Sequence, residues 1–164
     1  MKLYLLSLLL LITLPVDARQ ALEPLLRALD VAIENSEQYE KEKIQRITMI
    51  KDGLNARGLS LEEEYRINLR LYNEYEAYIC DSARHYINRN IDIATQQNNR
   101  EWLDESKLKK AHILATSGLY AEGVRLLETI EKQYLSERLL VDYYMAFENI
   151  CLYHAEYAQD DEYR

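Results

Sequence analysis

Fourteen tyrosines, three histidines, two cysteines and one run of three glutamates are the residues of this 164-residue chain whose types could carry chemistry. The histidines His85, His112 and His154 stand in no HExxH or comparable metal-binding motif, and no GxSxG elbow or Gly-rich phosphate loop occurs. Cys80 and Cys151 belong to no CxxC and no Cys/His quartet. They read either as two small apolar side chains on packed helix faces or as a bridge, should the chain reside in an oxidising compartment. Glu62, Glu63 and Glu64 fall in the first turn of an expected helix, where negative charge favours the helix dipole. No residue is nominated as catalytic, cofactor-binding or metal-binding, so the expectation is a non-enzyme without cofactor. The tyrosines remain. They supply large amphipathic contact area at low entropic cost and suit a recognition surface, although many must also serve as packing.

The elements that position these residues follow from composition. Four glycines, two prolines and four valines give the many turns of a β-sandwich or barrel nothing to be made from. Leu, Glu, Ala, Arg, Lys and Gln instead predict an all-α chain, and 48% hydrophobic residues suffice for one sizeable core. The net charge of −8, with Lys and Arg interleaved among Glu and Asp, argues against nucleic acid and against an anionic membrane surface as partners of this segment.

Residues 1–18 read as a secretory signal: Lys2, a short apolar run from Leu3 to Leu14, Pro15, then Val16-Asp17-Ala18 as a cleavage site. The run is too short for a comfortable span, and no second run downstream could cross a bilayer. The expectation is an exported, periplasmic or envelope protein. Residues 19–58 then read as an N-terminal helical pair, with Leu22, Leu25, Leu26, Leu29 and Ile33 in the first helix. Ile44, Ile47, Ile50 and Leu54 follow in the second, or in the continuation of one long bent helix, before Gly58 as a C′ residue.

Residues 60–164 read as stacked helical hairpins, the last one incomplete. Ser60-Leu61-Glu62-Glu63 is a capping box that opens a third helix carrying Leu61, Tyr65, Leu69, Tyr72 and Ile79 on one face. Asp81 or Ser82 is expected to cap a fourth, with Ala83, Ile87, Ile91 and Ala94. A fifth spans about Arg100 to Thr116 through Trp102, Leu103, Leu108, Ala111 and Leu114. A sixth runs through Tyr120, Val124, Leu127, Ile130 and Tyr134. Ser136 opens a seventh with Leu140, Tyr143, Phe147, Ile150, Cys151 and His154, and Gln159 to Glu162 form a polar turn. Ala83 and Gly123 are each a small residue early in the second helix of a hairpin, where close approach is needed, and each precedes a large apolar residue by four positions.

Ala111 to Leu127 resembles the centre of a tetratricopeptide repeat. The family's small, large, Gly-x-Tyr, small and large positions fall on Ala111, Leu114, Gly118, Tyr120, Gly123 and Leu127, with Ile130 next. The spacing of 40 between Ala83 and Gly123 exceeds the family's usual repeat of about 34, and Lys107 and Lys110 take the early Trp and Leu positions. The chain as a whole is similar to a Bacteroidetes-type family of exported proteins, in the Lys41 to Ile47 helix, the Tyr-rich third helix and the Asp81-Ser82-Ala83 step. That resemblance implies tetratricopeptide-like hairpins stacked as an α-solenoid of about seven helices. It further implies the periplasmic sensory or protein-interaction segment of a larger envelope-anchored transcriptional regulator, with a free-standing periplasmic adaptor or assembly scaffold as the alternative. The seventh helix distributes Tyr143, Tyr144, Phe147, Ile150 and Tyr153 around itself, so an apolar face awaits either a continuing chain or a partner. Transferring the family's concave-face register places Tyr65, Asn68, Tyr72, Glu76, Leu108, His112 and Thr116 along a groove for a protein or peptide partner.

Overall fold

The computed structural model describes residues 22–157, all of whose elements are helical. The expected leader and the polar turn at Gln159 to Glu162 lie outside the described residues. The chain divides into two units, one ending at Gln45 and one beginning at Arg46.

In the first unit residues 22–34 form α1, and α2 (Ser36–Asp52) begins after the single turn residue Asn35. The backbone ladder continues across it: Asn35 N donates to Val31 O at 3.1 Å and Tyr39 N donates to Asn35 O at 3.1 Å. The leucines of α1 and Ile33 are exposed.

The second unit takes the last turns of α2, where Ile47 and Ile50 are buried, and continues through a 3-10 turn at Gly53–Asn55. Gly58 adopts φ +76°, a left-handed conformation that glycine reaches without a Cβ penalty. The capping box then opens α3 (Leu61–Tyr75): Ser60 Oγ accepts from Glu63 N at 3.2 Å, and Ser60 N donates to the Glu63 carboxylate at 2.9 Å. The buried face of α3 is Tyr65, Asn68, Leu71, Tyr72 and Tyr75. Ile79 does not extend it, because α3 ends four residues earlier and Ile79 is an extended, exposed residue that precedes α4 (Cys80–Gln96). Ile79 also takes the N-cap position, so neither Asp81 nor Ser82 caps this helix.

Asn98, at φ 50°, turns the chain, and Asn99 caps α5 (Arg100–Thr116) by accepting Trp102 N at 3.1 Å. Gly118, at φ +76°, ends that helix. Next comes α6 (Tyr120–Glu128), shorter than the periodicity predicts; Ile130 still reaches the core, but Tyr134 lies in a 3-10 turn (Lys132–Tyr134) and is 62% exposed. The last helix, α7 (Glu137–Tyr157), buries Leu139, Tyr143, Ala146 and Ile150. Phe147 and Cys151 are exposed and Leu140 is half-buried, so the core stripe runs one position away from the one expected at Leu140 and Phe147. Of the aromatic residues foreseen on an open face, Tyr144 and Phe147 are exposed, Tyr143 is buried and Tyr153 packs on the core.

Short connections leave each helix packed on the next: α3 on α4, α4 on α5, α5 on α6 and α6 on α7. In addition α5 packs on α7, which sets first helices of consecutive hairpins side by side. Two apolar clusters hold this stack. Ile47, Leu71, Tyr72, Ala83, Ile87 and Ile113 belong to one, while Leu108, Ala111, Leu127, Leu139, Tyr143 and Ile150 belong to the other. Each fully buried Leu or Ile contributes roughly 1.5–3 kcal/mol over leaving it in water. Gly123 is a close helix crossing, since a Cβ built there would lie 3.0 Å from Ile150 Cδ1 and 3.5 Å from Ala111 O.

Candidate partner groove

Side chains three, four and seven positions apart share one face of a helix, and three such faces meet in a single cleft of about 290 Å³. From α3 come Tyr72 and Glu76. Glu105, Leu108, Lys109 and His112 come from α5, and Arg138, Asp142, Met145, Ala146 and Asn149 from α7. Leu108 and Ala146 are buried and form an apolar floor, while Met145 is 54% exposed at the rim.

Tyr72 ties α3 to α5. Its hydroxyl donates to Lys109 O at 3.1 Å, and the Lys109 ammonium stands 5.0 Å above its ring centre. Burial, and then the negative charge of Glu76, push the Tyr72 hydroxyl well above the ordinary tyrosine pKa, so the groove meets it as a neutral group at every physiological pH. Arg138 ties α7 to α5: its guanidinium lies 3.0 Å from Glu105, 3.6 Å from Asp142 and 3.8 Å from Glu101. Glu105 also accepts the Tyr65 hydroxyl at 3.1 Å. The cleft thus offers an apolar floor between two charged ends. Among the described residues no group of three or more His, Cys, Asp or Glu could hold a metal ion. Cys80 is half-buried, Cys151 is exposed, and both are free thiols.

Of the residues expected along a groove, the structure brings together Tyr72, Glu76, Leu108 and His112. Tyr65 is 2% exposed, roofed by Trp102 with ring centres 4.4 Å apart, and its hydroxyl turns inward to Trp102 O, Glu105 and Ser106. Asn68 is equally buried, with its Nδ2 unpartnered among the described residues. Thr116 is exposed and lines a separate hollow with Ala115, Tyr120 and Tyr153. Glu105 and Lys109 escaped sequence reasoning although they share the stripe of Leu108 and His112, so the spacing alone could have found them. In α7, Tyr143 and Ile150 are buried as the spacing predicts, Ala146 takes the inward place expected for Phe147, and Arg138 and Asp142 come to the cleft through the packing of α7 on α5, which no local signal announces.

Helices paired through short turns, with a tight Gly123 crossing and their first helices side by side, define a helical-repeat protein of the tetratricopeptide class. The chain matches the family model described as the SusR N-terminal TPR domain over residues 33–164, and it belongs to that family. No curated protein and no solved structure matches the chain. Among the described residues no helix is long and apolar enough to cross a membrane.

Proposed function

We propose that this chain is a non-catalytic protein-interaction module whose groove, formed by α3, α5 and α7, receives an extended segment of a partner protein. The observation that carries this reading is the convergence of three first helices on one cleft with a buried apolar floor and polar rims. Such a surface binds by anchoring a few side chains while the rim supplies hydrogen bonds to the backbone between them. The same proposal places the module outside the cytoplasm, as the sensory segment of a larger envelope-anchored regulator. Support comes from the signal-like residues 1–18 and from the family's description as an N-terminal domain.

Selection of random, terminally blocked heptapeptides on the immobilised protein tests the groove. Enriched peptides should lose binding to Met145→Arg, which sets a bulky charge at an exposed α7 position on the rim of the cleft, while the variant keeps its helical circular dichroism. Peptides that bind this variant as well as the wild type would place recognition elsewhere. Mass spectrometry of the protein isolated from its host envelope tests location and context together. An N-terminus at Arg19 and a mass well above that of residues 19–164 are the expected outcome; a start at Met1 in the cytosolic fraction would overturn both.

A further inference from the structure

We infer that the groove selects a partner segment carrying a Lys or Arg two residues from an apolar side chain. This rests on the reading of the cleft as a peptide groove and adds to it the chemistry of the occupant. The charges at the two ends are unequal. At the α5–α7 end the two lining carboxylates Glu105 and Asp142 face Arg138 alone, which leaves an excess of one negative charge at the cleft, and Glu101, 3.8 Å from the same guanidinium outside the lining, draws on it further. At the other end Lys109 is already seated over the Tyr72 ring, with Glu76, His112 and Asn149 lining the cleft beside it. A cationic side chain is therefore drawn to the Asp142 end, and an anionic one finds no uncompensated cation there. The floor fixes the second anchor. Asp142 and Ala146 are one turn apart on α7, about 6 Å along the axis, which matches the advance of two residues in an extended chain. A basic side chain against Asp142 and Glu105 thus sets the residue two positions away over Leu108 and Ala146.

Fluorescence anisotropy with four blocked, labelled octapeptides reads this out: Lys-Ala-Leu, Leu-Ala-Lys, Glu-Ala-Leu and Leu-Ala-Glu cores in one common Gly/Ser frame, titrated to millimolar protein. One of the lysine peptides should bind about tenfold more tightly than its glutamate counterpart and weaken as salt is raised. Asp142→Lys should reverse the preference, and Asp142→Asn should erase most of it, so that a fold defect cannot imitate the result. Equal binding of lysine and glutamate peptides overturns the inference and leaves the peptide groove standing. Failure of all four to bind, with Met145→Arg also without effect on selected peptides, overturns both.

Discussion

Gly123 shows how much one missing side chain can hold. It lies against Ile150 from α7 and the Ala111 carbonyl from α5, so the crossing of three helices depends on an absent Cβ. The end of the Ile150 side chain can yield to a methyl group, but the Ala111 carbonyl cannot move without disturbing α5. Gly123→Leu is accordingly expected to destabilise by about 1–3 kcal/mol through overpacking, with Gly123→Ala costing less, as read by urea unfolding. A leucine variant as stable as the wild type would mean that α6 shifts freely against its neighbours. The role of Gly123 is legible in sequence because a small residue between large apolar ones early in a helix points to close approach. Tyr65 lies on the apolar stripe of α3 and is buried as that stripe predicts, but its exclusion from the groove is not legible, since nothing local tells that Trp102, on another helix, will roof it.

At the scale of the element, α3 begins where a purely local signal says it should. The Ser60 hydroxyl and then its backbone N–H hold the Glu63 carboxyl below the usual carboxylate range. The folded chain therefore binds this proton less readily than the unfolded chain does, and the stabilisation is complete above the ordinary Glu pKa of about 4.3 and fades as pH falls through the lowered value. Ser60→Ala should cost about 1 kcal/mol in neutral buffer, and the difference between Ser60→Ala and wild type should shrink in acid. Glu63→Gln, which retains an acceptor for the Ser60 amide, should flatten that acid dependence; an unchanged pH profile would show that the box is not formed in solution. Boundaries set by such neighbours in sequence are readable from it, as the capping box and Gly118 demonstrate. Those set by distant packing are not. In α7 the doublets Leu139-Leu140 and Tyr143-Tyr144 allow two stripes one residue apart, and only the surfaces of α5 and α6 decide that Leu139 and Tyr143 turn inward. The same ambiguity conceals Ala146, which takes the inward place that the spacing offers to Phe147, whereas Arg138 and Asp142 join the groove through their charges and the packing of α7 on α5.

Over the whole stack, each helix meets mainly its neighbours, so stability is close to a sum of neighbouring interfaces rather than one indivisible core. Among the described residues α5 is the helix with most of these main interfaces, packing on α4, α6 and α7, whereas α7 packs chiefly on α5 and α6. The ion pairs between α5 and α7 add little, because Arg138 is half exposed and Glu101 more so, with Glu105 alone largely shielded. What holds α7 is the apolar seam of Leu139, Tyr143, Ala146 and Ile150. Native-state hydrogen exchange should therefore find the α7 amides opening before those of α4 and α5. Ile150→Ala, which removes about 2–5 kcal/mol of packing, should speed exchange in α7 selectively, and Arg138→Ala should change it little. Ile87→Ala, in the seam between α3 and α4, should instead speed exchange through both of those helices. Equal acceleration from α3 to α7 in the Ile150 variant would show a single cooperative unit. In the expected case the groove inherits the difference: its α5 wall is held by the interior of the stack, while the α7 wall, bearing Asp142 and Ala146, is the one free to adjust around whatever enters.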